Sequence, residues 1–379
     1  MRLEPRQSRP LLLVLLLPAL ALVTAGVFCA LLVMLSGASP FQVFGLMIKG
    51  ALGSQFAFLE TLTRATPLIF TGLAVAVAFR AKLWNIGAEA QLYIGAVMTV
   101  VLGTGLLPLP WPVLIPVLMF SAALGGALVL AVPTFLKTRF GVDEVVTTLL
   151  LNFNVLLFVS MLLEGPLKDP MGLGWPQSKK VVTDAQLPKL VQGKRLHAGF
   201  VIAILAATLV WVFDRRAALG YEMRAVGYNS KAAAFAGIPV NPVLAKAALL
   251  SGGLAGLAGW SEVAGLKGNL TLDLSPGFGY TGIVVAMLAL LHPLGVLDAR
   301  LGIFLDRQHV SVSAERAASC RDLRNFQAGM AIRVERHKFV ERFRISTVSC
   351  GEFLGRLVKP QILAPTRAGR ASLQIRAQR

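Results

Sequence analysis

The chain has 379 residues, of which 55% are hydrophobic and 15% charged, a balance that excludes an ordinary soluble domain. Its net charge of +18 is unevenly spread: residues 298–379 hold 16 Lys and Arg against 7 Asp and Glu, so half the excess sits in one tail. A nucleic-acid role for the whole protein does not follow from such an end effect. The three cysteines, Cys29, Cys320 and Cys350, lack the spacing of a metal site or a disulfide framework.

MRLEPRQSRP, a cytoplasmic N-terminus of residues 1–10, precedes an apolar run over residues 11–35. That run is long for a signal peptide and fits a retained first membrane helix. Further spans are expected at 60–79, 85–106, 113–136, 145–163, 198–213, 247–266 and from 281. The expected fold is therefore an all-α polytopic membrane protein, with about eight transmembrane helices in the first 296 residues. Arg80, Lys82, Lys137 and Arg139 mark inward ends. The polar stretch 164–197 falls outside by alternation, although it carries Lys168, Lys179, Lys180, Lys189, Lys194 and Arg195, a modest violation of the positive-inside rule.

Residues 214–246 form a polar island between two long apolar segments, with Arg215, Arg216, Arg224, Lys231 and Lys246 placing it inside. The run Lys231 to Gly237 predicts a short helix ended by glycine, with Pro239 and Pro242 beyond. A short surface helix held between two membrane helices is a shape that a soluble partner can grip and push.

Polar groups inside a bilayer are costly and count as functional candidates. Asn85, Glu89 and Gln91 lie in LWNIGAEAQLY between Gly87 and Gly95, a density of glycine that suggests a close helix contact or a broken helix. Asn152 and Asn154 sit in LLLNFNVLL, and Glu262 lies near the outer end of the seventh span. These six are candidate substrate-pathway residues, with helix-joining hydrogen bonds as the competing reading. The turn SPGFGYTG (275–282) reads equally as a re-entrant segment or a plain tight connection. LSGGL (250–254) resembles the signature loop of ABC ATPases, but it lies within an apolar span, and the chain has no GxxxxGK[ST] to cradle phosphates. Gly252, Gly256 and Gly259 are better read as close helix packing. The four histidines are scattered and no nucleophile–base pair or metal cluster emerges, so an enzyme reading and a bound cofactor have little support.

Six blocks in order, FRAKLWNIGAEAQLYIGA (79–96), FGVDEVVTTLLLNF (140–153), LLEGPLKDP (162–170), RAVGYNSKAAAFAGI (224–238), LSGGLAGLAGWSEVAG (250–265) and LSPGFGYTGIVVAMLALLHPLGV (274–296), resemble the membrane subunits of bacterial ABC importers for simple sugars and nucleosides, relatives of the branched-chain amino-acid permeases. The resemblance covers residues 10–296. It implies a pore subunit in the bacterial inner membrane that is not itself an enzyme, paired with a second permease subunit. It also implies a separate ABC ATPase subunit that uses ATP, and an extracytoplasmic substrate-binding protein. On this resemblance the 214–246 island is the ATPase coupling loop, with Glu222, Ala225, Gly227, Ala234 and Gly237 as its contact and shape-setting residues.

The pattern departs from the family after HPLGV. From residue 297 no segment approaches 20 apolar residues and arginine outnumbers lysine fourteen to two, where relatives continue with further apolar helices. A reading-frame shift near residue 296 accounts for all three features, and its rival is a genuine basic cytoplasmic domain. The functional expectation is a permease of an ATP-driven importer of a small polar solute. The alternatives are a secondary transporter, which would want more paired membrane carboxylates than Glu89 and Glu262, and a permease inactivated by the shift.

Overall fold

The computed structural model describes residues 11–297, apart from 36, 38, 107 and 173. The expected cytoplasmic N-terminus and the expected frame-shifted or basic tail, Leu297 excepted, lie outside the described residues. Those described form helices α1 (Leu11–Leu35), α2 (Pro40–Leu52), α3 (Gln55–Arg80), α4 (Ala88–Gly103), α5 (Trp111–Phe140) and α6 (Glu144–Glu164). They continue with α7 (Gly199–Arg216), α8 (Ala218–Tyr228), α9 (Ser230–Phe235), α10 (Val240–Glu262) and α11 (Phe278–Leu288). The chain is thus all-α and polytopic. Four segments, α3, α5, α6 and the continuous Val240–Lys267, are long and apolar enough to cross a bilayer among the described residues. α7 crosses less cleanly by composition, because Asp214, Arg215 and Arg216 occupy its last turn.

Each expected span has a helix, with three differences. α2 is an additional helix, bent by 117° from the end of α1, with Phe41, Leu46 and Ile48 exposed. The polar island holds two helices, α8 as well as the expected short α9. The eighth span is only half a span: α11 stops at Leu288, and Leu290 and Leu291 take positive φ of 51° and 60°. Nothing in an unbroken apolar string announces that reversal, because the apolar residues fit the helix and the turn equally.

α10 is the hub, packed against α3, α4 and α5. Its glycines explain how. A Cβ on Gly252 would meet Gly126 and Ala127 of α5, one on Gly256 would overlap the Ala122 carbonyl, and one on Gly259 would overlap the Leu92 carbonyl of α4. With only hydrogen at these positions the backbones touch, and dispersion between backbones replaces the hydrophobic drive that lipid cannot supply. The LSGGL string is a packing seam.

Local signals set the helix ends. Ser54 accepts from Ala57 N at 3.1 Å to cap α3, Asp143 accepts from Val145 N at 2.8 Å to cap α6, and Gly141 closes α5 at φ +69°. The 165–198 loop folds into a cap. Ser178 N bonds Leu270 O, Val182 N bonds Gly103 O, and Leu187 N bonds Ala264 O, each at 2.8 or 2.9 Å. Two of the loop's six basic residues are seated on α3, Lys194 over the Phe56 ring at 5.1 Å and Arg195 at 3.6 Å from Glu60, which lessens the charge excess that the sequence showed there.

Candidate functional site

Between α3 and α4 the chain breaks at residues 81–87, and the break is held by amides. Asn85 Nδ2 donates to Gln91 Oε1 and to Ser251 Oγ, both at 3.0 Å. Its Oδ1 accepts from Gln91 Nε2 at 2.8 Å and from Gly87 N at 3.0 Å. Ser251 Oγ in turn donates to the Ala74 carbonyl of α3 at 2.7 Å. On the other side, Asn152 of α6 accepts from Ala90 N at 2.9 Å and donates to Ile86 O at 2.9 Å and to the Tyr280 hydroxyl at 3.1 Å. Helix breaks survive at membrane depth when side chains satisfy the freed backbone groups, and these amides do so.

The start of α11 meets the start of α4. Glu89 Oε2 accepts from Gly279 N at 2.6 Å, a carboxylate at a helix N-terminus where the partial positive charge favours it. Thr71 Oγ1 donates to Phe278 O at 3.1 Å, and the Tyr93 hydroxyl donates to Leu272 O at 2.5 Å. Ser275 N in turn bonds that hydroxyl at 3.3 Å. The 275–282 turn therefore folds back against mid-helix residues, as a re-entrant segment does.

Of the six candidate pathway residues, the structure brings together Asn85, Glu89, Gln91 and Asn152. Asn154 lies elsewhere, on the exposed side of α6 among Leu150, Phe153 and Leu157. Glu262 sits about 16 Å along α10 from Ser251. It is 2% exposed, and its Oε1 has no hydrogen-bond partner among the described residues. Ser251 and Tyr280 complete the lattice and were not singled out in the sequence. A lone serine inside a glycine-rich apolar run was the available signal for the first.

At the end of the bundle that carries the basic residues, α8 and α9 form a docked unit. Asp214 of α7 takes Arg80 of α3 on Oδ2 and Arg224 of α8 on Oδ1, the latter at 3.1 Å. Arg224 also donates to the Asp214 carbonyl. Gly227 lies directly on the Arg80 carbonyl, where a Cβ would overlap it. Met223 and Val226 are buried beneath α8. Asn229 caps α9 by accepting from Lys231 N and Ala232 N, both at 3.1 Å, and Gly237 leaves it at φ +84°. Among the coupling-loop candidates Glu222 and Ala225 are half-buried, Gly227 is buried, and Ala234 and Gly237 are exposed. Phe235, 96% exposed, and Tyr228, 84% exposed, project from the unit.

In the opposite cap, His197 is fully buried against Gly199 and Gly265. Neither ring nitrogen finds a partner among the described residues, and burial pushes its imidazole down to about 4.

The model of the family described as branched-chain amino acid transport system / permease component matches residues 57–305. A glucose ABC transporter permease protein of Haloferax volcanii is 34% identical over 298 residues, 76% of this chain and 78% of the relative. A guanosine ABC transporter permease protein of Bacillus subtilis is 34% identical over 292 residues, 75% of this chain and 82% of the relative. A nucleoside ABC transporter permease protein of Lactococcus lactis is 29% identical over 294 residues, 76% and 81% respectively. No solved structure matches. A polytopic bundle with a helix break laced by amides, matched over most of its length to such relatives, belongs to the family of branched-chain amino acid transport system permease components.

Proposed function

We propose that the chain is the membrane-spanning subunit of an ATP-driven importer of a simple sugar or nucleoside in a bacterial inner membrane, and that a separate ATPase subunit seats on the α8–α9 unit. The carrying observation is Phe235. It is a nearly naked aromatic ring on a short helix whose neighbour is anchored by ion pairs and a backbone contact. Exposed aromatics on a rigid platform are the anchors of protein interfaces. The names of the relatives, glucose, guanosine and nucleoside permeases, support the solute class.

On this reading the chain binds no cofactor, and ATP belongs to the partner. A second permease subunit completes the pathway, and an extracytoplasmic binding protein delivers the solute. Asn154 supports the paired arrangement, because an amide on an otherwise apolar exposed face is poorly matched to lipid. It and Glu262 are the two candidate pathway residues with polar capacity left for a solute; Asn85, Glu89, Gln91 and Asn152 set the shape of the pathway. Residues 306–379 lie beyond the family match and take no part on this reading, and resequencing across codon 296 checks this: another frame must yield apolar spans.

Phe235→Ala tests the docking. The expected result is insertion at wild-type level with at least tenfold weaker co-purification of the ATPase and a matching loss of uptake of labelled guanosine or glucose. Undiminished co-purification refutes the assignment. Gly237→Leu, where nothing lies within 4 Å, is expected to lower coupled ATP hydrolysis with insertion intact, whereas Gly227→Leu, whose side chain would overlap the Arg80 carbonyl, is expected to displace α8 and lower the amount of folded complex as well.

A further inference from the structure

α8 and α3 meet across a thin seam. A small gap lined by Ala76, Arg80, Phe213, Asp214, Met223 and Pro293 lies where α3, α7 and α8 meet, beside the buried Met223 and Val226. α8 also packs on α7 and α10, and three close contacts among the described residues fix its place. Asp214 bonds both arginines; Gly220 stacks on the last turn of α7, with the Phe213 and Asp214 carbonyls 2.7 and 2.6 Å from where its Cβ would stand; Gly227 rests on the Arg80 carbonyl. One of the three joins α3, α7 and α8 at a single group, and that group is the carboxylate of Asp214, with 14% of its side chain exposed.

What lies beyond Arg80 gives the junction its meaning. α3 ends there, and the next residues are the break. Lys82 takes φ +53°, Trp84 N bonds Glu144 Oε1 at 3.3 Å, Lys137 of α5 pairs with the same carboxylate, and Asn85 enters the amide lattice that reaches α10 and α6. A displacement of Arg80 is therefore passed to α5, α6 and α10 through short polar contacts. The first link in that chain is an ion pair in a half-buried seam, with 18% of the Arg80 and 14% of the Asp214 side chain exposed, where salt screens it less than at an open surface.

We propose that Asp214, holding Arg80 of α3 and Arg224 of α8 with one carboxylate, is the positioning residue through which movement of the α8–α9 unit reaches α3 and the 81–87 break. This rests on the reading of α8–α9 as the ATPase seat. Asp214 itself touches neither the solute nor the ATPase; its work is to keep two helices moving as one.

The test uses the complete transporter in proteoliposomes, with its ATPase and binding protein, comparing wild type with Asp214→Asn, Asp214→Glu and Arg224→Gln. Asp214→Asn keeps the volume and removes the charge. The expected result is full ATPase occupancy, uptake per ATP hydrolysed at least tenfold lower, and recovery of more than half the loss in Asp214→Glu. A purely structural role would change the amount of complex and leave uptake per ATP alone. Should Asp214→Asn fail to fold, Arg224→Gln decides, since it leaves the Arg80–Asp214 pair in place and is expected to uncouple likewise. ATP-dependent uptake with unchanged stoichiometry in the folded variants overturns the link, and so does loss of ATPase occupancy, which would make Asp214 a docking residue. Wild-type uptake that persists without ATP overturns the importer reading itself.

Discussion

Asn85→Leu removes the centre of the amide lattice and leaves its surroundings in place. Leucine keeps asparagine's branching but is bulkier, so at this buried site the perturbation is loss of polarity with some overpacking added. Three buried groups lose their partners: Gly87 N–H, Gln91 Oε1 and Gln91 Nε2. Ser251 keeps its bond to Ala74 O. At about 1 kcal/mol for each orphaned group the loss is about 3 kcal/mol, at the upper end for polar contacts between membrane helices. The assay is the denaturant midpoint of the purified protein in mixed micelles, followed by tryptophan fluorescence. The double variant Asn85→Leu/Gln91→Leu removes the two stranded Gln91 groups together with their donor. It is expected to be less destabilised than the sum of the two single changes by at least 1 kcal/mol. Asn154→Leu, on the exposed face of α6, serves as the control and is expected to leave the midpoint within about 0.5 kcal/mol. A stable Asn85→Leu, or strict additivity in the cycle, refutes the claim that the lattice holds the break.

Gly259→Val places a side chain on the Leu92 carbonyl and forces α10 from α4. Expression of folded protein is expected to collapse, while Gly26→Ala, where nothing lies within 4 Å, is silent; equal yields of both refute the seam. His197 titrates near 6.5 when the cap is open and about 4 when it is closed. The open state therefore binds more protons within that window, so the cap weakens as pH falls through it, by about 3 kcal/mol in full. Hydrogen exchange of residues 187–198 should quicken between pH 7 and pH 4.5 beyond its intrinsic pH dependence, and His197→Phe should abolish that excess; an unchanged excess in the variant sinks the assignment.

Much of this fold could be read in advance because lipid imposes a coarse rule: apolar runs of sufficient length become helices. The positions of eight helices followed from it. What escaped depends on contacts between distant residues. The end of α11 at Leu288 is invisible in an apolar string, and α8 hides in a charged segment whose burial of Met223 and Val226 needs α3, α7 and α10 for partners. Asn152 and Asn154 look alike in LLLNFNVLL, yet two residues are about 200° apart on a helix. The row Thr148, Asn152, Val155, Val159, Leu163 is the buried one, and that periodicity was available in the sequence. The pairing of Glu89 with Gly279 spans 190 positions, and no local pattern announces it.

The touching backbones of α5 and α10 also limit how this bundle can change shape. Along α10, Gly252 and Gly256 face α5, and Leu257 follows Gly256. A slide of one residue, about 1.5 Å, would bring a side chain where only hydrogen now fits. The two helices are keyed to one register like a lock to its ward, and any cycle of opening and closing must carry α5 and α10 as a single stave, turning them together without slippage.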